Sequence, residues 1–174
     1  MDALILAAGF GKRLGSLTTN NQKCLLPING KPLLNYWIDF LCELNINKIY
    51  INSHHCAQDL TDLININPYK KKISILHEPE LLGTAGTLRN NIKLFKNDLF
   101  FIHGDNYINY LQLKKFYEYY IASEDKDSLF FMMLNKTNEP HKCGVVELEN
   151  NIVKNFYEKV LNPPSNIANA AIYI

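Results

Sequence analysis

Leu4-Ile5-Leu6-Ala7-Ala8-Gly9-Phe10-Gly11-Lys12-Arg13-Leu14 runs an apolar strand straight into a glycine-rich turn that ends in two cations. Leu4, Ile5 and Leu6 show no polar alternation, the pattern of a strand buried on both faces. Ala7, Ala8, Gly9 and Gly11 strip the turn of bulk, so backbone N–H groups can approach a polyanion closely. The stretch reads as a phosphate-handling loop at a sheet edge, with Lys23 following as a further cation. Two other phosphate loops are excluded by spacing. A Walker loop needs Ser or Thr after Gly-Lys, where this chain has Arg13. The dinucleotide fingerprint needs a third glycine at position 14, which is Leu.

Working outward, apolar residues Leu33, Leu34, Trp37, Ile38, Leu41 and Leu44 mark a helix over 32–44, with Pro32 near its first turn. Strands are predicted at 48–52, 73–77 and 99–103, and helices at 57–64, 87–95 and 111–121. Strands then follow more quickly, at 129–134, 145–148, 152–157 and 168–174. The βα alternation predicts an α/β fold, an open three-layer α/β/α sandwich whose central sheet is mostly parallel but mixed by antiparallel strands near the end. With right-handed crossovers, ligands lie beyond the carboxyl ends of the strands. The glycine-rich loop, the Leu82-Gly83-Thr84-Ala85-Gly86 segment, read as a turn, and Asp105 all fall just after predicted strands. Segments 125–128 and 135–142 read as polar loops.

The chain has 174 residues, 47% hydrophobic and 20% charged, enough for one domain with a sizeable core. A formal charge of +1 leaves no basic field for nucleic acid or a membrane surface, so an anionic ligand must be met by local cations. The four cysteines are dispersed without a CxxC pair, which suits a reducing cytoplasm and no structural zinc. No apolar run reaches the ~18–20 residues that span a bilayer, and the N-terminus lacks signal-peptide character. Arg13 and Arg89 are the only arginines. A planar guanidinium inside a phosphate loop is therefore notable. The five histidines show no mutual ligand spacing and read as solvated or core residues. Cys24 reads as a small buried thiol, with reactivity open to it if the neighbouring cations lower its pKa. The aromatic run 116–120 reads as a helix packing on the sheet.

Five segments in order, LAAGFGKRL (6–14), KCLLPINGKPLL (23–34), EPELLGTAGTL (78–88), HGDN (103–106) and CGVVELE (143–149) with EKVLNPPSNIANAAIYI (158–174), resemble the sugar-nucleotide pyrophosphorylases. This nucleotidyltransferase family joins a nucleoside triphosphate to a sugar 1-phosphate. The text is most similar to bacterial hexose- or heptose-1-phosphate nucleotidyltransferases, the mannose-1-phosphate guanylyltransferase type included. The resemblance implies a Rossmann-like nucleotidyltransferase domain over 1–174, short of the family's C-terminal part. Complete relatives continue further and supply a second metal-binding aspartate there. A homodimer is the oligomeric expectation it brings, with the state itself left open.

The implied reaction is attack by a sugar-phosphate oxygen on the α-phosphorus, with pyrophosphate leaving in line. Two anions must be held together while charge grows on the leaving oxygen, so cations, backbone donors and a metal supply the catalysis. A phosphate monoester is already a nucleophile near neutral pH, and no general base is needed. By resemblance, Arg13, Lys23 and Asp105 are catalytic, Arg13 clamping the β- and γ-phosphates and Asp105 holding Mg2+. Leu6, Ala7, Ala8, Gly9, Gly11, Lys12, Arg13 and Lys23 face the nucleotide. Glu78, Gly83 and Thr84 form its base side, and a carboxylate at Glu78 leans towards GTP, because it can accept an N–H and amino-group pair. A solvated Glu78 is the alternative. Asn106, Gly144, Glu158, Lys159 and Asn169 correspond to sugar-phosphate positions, the bland alternative for Glu158-Lys159 being a surface ion pair.

Two other readings stay open. One is a catalytically weak nucleotide-sugar-binding module that regulates a partner, favoured if the missing metal ligand is real. The other is a phosphocholine cytidylyltransferase, which shares the opening loop; Glu158-Lys159 counts against it, and a quaternary ammonium calls for an aromatic box.

Overall fold

The computed structural model describes residues 1–18, 21–124 and 130–174, with the backbone alone for Lys12 and Arg13. Contacts divide the chain into two compact units, Met1–Ala122 with Ile174, and Ser123–Tyr173. The first unit begins with β1 (Asp2–Leu6), followed beyond the glycine-rich segment by the small hairpin of β2 (Pro27–Ile28) and β3 (Lys31–Pro32). Then come α1 (Leu33–Glu43), β4 (Ile49–Ser53), α2 (Ala57–Ile66), β5 (Ile73–His77), α3 (Gly83–Asn91), β6 (Leu99–His103) and α4 (Tyr110–Ala122).

β1 lies between β4 and β6, and β5 pairs outside β4, all in parallel, giving the order β5-β4-β1-β6. The central strands are apolar because both faces are covered. Leu4, Ile5, Ile49, Ile51, Phe100 and Ile102 are fully excluded from solvent. The chain moves outward from β1 to β4 to β5 and then returns to β6. Right-handed crossovers therefore put α1 and α2 on one face and α3 on the other. The order reverses between β1 and β6, so the loops leaving these neighbours diverge and open a crevice.

α1 buries Leu33, Leu34, Trp37, Ile38 and Leu41, the stripe its sequence spacing predicts. α4 packs on β6 through Phe116 and Tyr117, whose rings lie 6.1 and 6.3 Å from that of Phe100. That places the aromatic run as expected. The second unit is wholly antiparallel: among β7 (Met132–Lys136), β8 (Gly144–Glu149), β9 (Ile152–Glu158) and β10 (Ile167–Tyr173), β10 pairs with β7 and β8, and β8 with β9. Asn150 and Asn151, at φ 51° and 65°, make the β8–β9 turn in the left-handed conformation that matches hairpin twist. Among the described residues no helix is long and apolar enough to cross a membrane.

Two elements differ from the sequence reading by more than two residues at an end. α3 begins at Gly83, not Thr87, and gives way after Asn91 to a 3-10 turn at Ile92–Leu94. Glycine and threonine weaken the local helix signal, so the start of α3 leaves little trace in the sequence. β7 starts at Met132 and takes in Asn135 and Lys136, which read as loop; Leu129 and the 125–128 loop lie outside the described residues. Strand pairing with β10 overrides the polar composition there.

Trp37 is 1% exposed and donates its indole N–H to the Asn106 carbonyl at 2.9 Å. Trp37→Ala should cost about 3–5 kcal/mol in denaturant unfolding, combining a large cavity with an orphaned carbonyl.

Candidate active site

A cavity of about 590 Å³ opens at the carboxyl rim of the parallel strands, within the first unit. Its walls are Leu6, Ala7, Ala8, Gly9 and Gly11 after β1, Lys23, Glu78 after β5, Gly83 and Thr84 at the start of α3, and Asp105 after β6. Every one of these was a candidate on sequence grounds. Leu14, Cys24, Asn52, Leu81 and His103 also line it. The volume falls in the range typical of small-molecule sites.

Two glycines are required by geometry. Gly11 has φ +62°, and a Cβ there would stand 2.9 Å from the Thr18 methyl and 3.2 Å from Lys23 Cβ. The Thr18 hydroxyl in turn donates to the Gly11 carbonyl at 3.0 Å, closing the loop on itself. Gly104 donates its N–H to the Leu6 carbonyl at 2.9 Å, and a Cβ on it would lie 2.7 Å from Ile5 Cγ2. That close approach seats Asp105 beside the end of β1.

Lys23 Nζ donates to Asp105 Oδ2 at 2.6 Å, with the two side chains 28% and 41% exposed. Asp105 offers hard oxygen at the wall of the cavity, and the ammonium stands in as the cation at that oxygen. The residue therefore fits a divalent cation whose shell is completed by phosphate and water oxygens. The side chains of Lys12 and Arg13 lie outside the described part of the structure; their backbones belong to the 3-10 segment Lys12–Thr18.

Glu78 is 2% exposed, which excludes the solvated reading. Its Oε1 accepts from Asn52 Nδ2 at 3.0 Å and the Thr87 hydroxyl at 2.5 Å, and its Oε2 accepts from the Leu82 N–H at 3.2 Å. The last of these bonds anchors the chain at the residue just before α3. The paired acceptors expected to read a guanine edge are largely committed inside the protein. Asn52 Oδ1 likewise accepts from the N–H groups of Ala7 at 2.6 Å and Ala8 at 3.2 Å, so these two donors are turned away from the cavity. The sequence reading missed Asn52 and Thr87, because a lone Asn ending a strand and a Thr in a helix carry no local signal.

Burial pushes the Cys24 thiol up to about 12, and Asp105 adds to the shift, so the reactive alternative is excluded in favour of the buried thiol. His103 lines the cavity with its Nε2 buried and without a hydrogen-bond partner among the described residues. Burial holds its imidazole below the ordinary value, with Asp105 opposing. Phe10 braces the loop from outside, stacked on His55 at 4.8 Å and edge-on to His54 at 5.4 Å.

Asn106 follows Asp105 and is held through its backbone, its N–H donating to the His103 carbonyl at 3.2 Å and its carbonyl accepting from Trp37. The remaining sugar-phosphate candidates lie in the second unit. Gly144 sits opposite Glu158 in the β8–β9 ladder. Glu158 and Lys159 form an ion pair at 2.8 Å with exposed side chains, and Lys159 takes φ +52°. Asn169 donates to the Tyr173 hydroxyl at 2.6 Å and accepts from the Ala171 N–H at 2.8 Å, so its carboxamide braces a bulge in β10.

With this geometry in hand, comparison with known proteins is decisive: the family described as nucleotidyl transferase matches residues 2–174. The chain belongs to the nucleotidyl transferase family. It is 34% identical over 175 residues to the bifunctional protein GlmU of Methanocaldococcus jannaschii, covering 99% of this chain and 39% of that protein. It is 27% identical over 175 residues to the D-glycero-alpha-D-manno-heptose 1-phosphate guanylyltransferase of Campylobacter jejuni, covering 100% of this chain and 75% of that one. Among solved structures, HddC from Yersinia pseudotuberculosis complexed with GMP-PN superposes with a TM-score of 0.78 at 28% identity, over 99% of this chain and 75% of that one. The chain spans about half the length or less of the first curated relatives it matches. These neighbours share the α/β architecture expected from the βα alternation, and members of the nucleotidyl transferase family generally use a divalent metal.

Gly104→Ala should lower stability by about 1–3 kcal/mol, because β1 backbone and Ile5 must give way. Cys24 should stay unalkylated by iodoacetamide at pH 8 in the native protein and react on unfolding, since its raised pKa keeps the thiol protonated. Peptide mapping by mass spectrometry reads the difference.

Proposed function

We propose that the chain transfers a nucleoside monophosphate from a nucleoside triphosphate, GTP favoured, to a sugar 1-phosphate, releasing pyrophosphate. The observation that carries this reading is the single cavity in which the glycine-rich loop, Lys23 and Asp105 converge. GTP is supported by the guanylyltransferases among the relatives and by the guanine-nucleotide complex of a structural neighbour.

The loop after β1 receives the triphosphate. Lys23 neutralises phosphate oxygens at the reacting centre, and Arg13 clamps the β- and γ-phosphates with its planar fork as the leaving group gains charge. Asp105 holds Mg2+, which neutralises and orients the phosphates when bound. Gly83 and Thr84 border the base. Glu158 and Lys159 grip the sugar hydroxyls and phosphate, and Gly144, Asn106 and Asn169 are further sugar-phosphate positions in this reading. In this reading the protein works in the cytoplasm.

The test is a matrix of four triphosphates against mannose-, glucose- and heptose-type 1-phosphates, following pyrophosphate. The expected result is metal-dependent release that is fastest with GTP and stops on chelation by EDTA. No release from any pair by folded protein would overturn the reading. Arg13→Ala should lower kcat/KM by roughly 30- to 1,000-fold, an estimated 2–4 kcal/mol of transition-state stabilisation. Asp105→Asn should abolish the metal response while leaving thermal unfolding within a few degrees of the parent.

A further inference from the structure

We infer that Asn52, Glu78 and Thr87 are positioning residues that lock two walls of the cavity together, and that Glu78 serves as a shared acceptor for this lock rather than as the reader of the base. The inference rests on the cavity being the nucleotide site. The three residues are 4%, 2% and 0% exposed, and they come from the end of β4, the loop after β5 and the middle of α3.

The Asn52 carboxamide is saturated. Two acceptor positions on Oδ1 take Ala7 and Ala8 N–H, and two donors on Nδ2 go to Glu78 Oε1 and, at 3.2 Å, Thr87 Oγ1. Glu78 is nearly so. Oε1 is filled by Asn52 and Thr87, and Oε2 holds Leu82 N–H, leaving one acceptor position. Its backbone is stitched as well, its N–H donating to the Ser53 carbonyl at 2.8 Å and its carbonyl accepting from His54 Nδ1 at 2.8 Å. A guanine edge presents N1–H and the N2 amino group side by side and needs two acceptors on one carboxylate. Glu78 could supply both only by releasing Leu82 or Thr87, and so by detaching α3 or the residue before it.

The loop after β1 and the first turn of α3 are thus joined through side chains rather than through chain connectivity. Thr87 touches neither Ala7 nor Ala8 in the hydrogen bonds described, yet it helps to orient the carboxamide that holds both. A change at Thr87 should therefore be felt at the glycine-rich loop.

Amide hydrogen exchange on the ligand-free protein tests this without reference to activity. Thr87→Val should accelerate exchange at Ala7 and Ala8 at least tenfold, and Thr87→Ser should restore protection. Unchanged exchange at Ala7 and Ala8 in folded Thr87→Val overturns the lock. Kinetics separate the role of Glu78. Glu78→Gln, which puts an amide donor against either Leu82 N–H or the Asn52 and Thr87 donors, should lower kcat/KM by 10- to 100-fold for every triphosphate, with their ratios held within threefold. A shift of more than tenfold in base preference would make Glu78 a base reader and overturn that half of the inference, as would rates within threefold of the parent. If the parent protein releases no pyrophosphate, the proposed function fails, and the exchange result alone decides the lock.

Discussion

The parallel alignment of β1 with β6 is the constraint on which the site depends. Leu6 stands opposite His103, so both strands stop at the same level, and the Gly104 N–H bonded to the Leu6 carbonyl ties the outgoing turns together. Because the strand order reverses at this pair, the two loops must part, and the space between them becomes the cavity floor. Gly104 cannot carry a side chain without pressing on Ile5 and the Leu6 carbonyl. Asp105 is consequently held by backbone geometry before any ligand contributes.

Electrostatics then act locally. A chain of formal charge +1 has no long-range field with which to gather phosphates. In the proposed reading the attraction has to come from a few groups at short range: Lys23 on one wall, paired with Asp105, which would hold a divalent cation, and the loop backbone. The ion pair is partly exposed, so its worth lies in placing charge rather than in stability. Cys24, next in sequence to Lys23, takes no part in this charge, because burial keeps its thiol protonated. Both residues border the cavity, but Lys23 is partly exposed and Cys24 is buried, so only the lysine is free to carry charge there.

Much of the architecture was legible because burial leaves a periodic trace. β1, β4 and β6 are continuous apolar runs covered on both faces, and α1 shows its stripe at helical spacing. α3 was misread at its N-terminus because Gly83, Thr84 and Gly86 are poor helix formers and the anchor just before it is Glu78, which belongs to the preceding loop. β7 was misplaced because its polar end is recruited by pairing with β10. Glu78 was found as a residue of the site, but its surroundings were not legible. Whether a carboxylate faces solvent, a base or three internal donors depends on residues 9 and 26 positions away in the chain.

The amino-acid sequence by itself determined the alternation of strands and helices, the glycine-rich loop with its cations, the family, and most of the residues that line the cavity. These follow from patterns within a few residues: hydrophobic period, glycine placement and motif spacing. Tertiary structure alone decided that Lys23 meets Asp105, that Asn52 and Thr87 belong to the site, and that the Ala7 and Ala8 N–H groups point inward. Those facts arise where side chains from separate strands compete for the same buried donors and acceptors. Each must find a partner once water is excluded, and only the assembled fold says which partner is in reach.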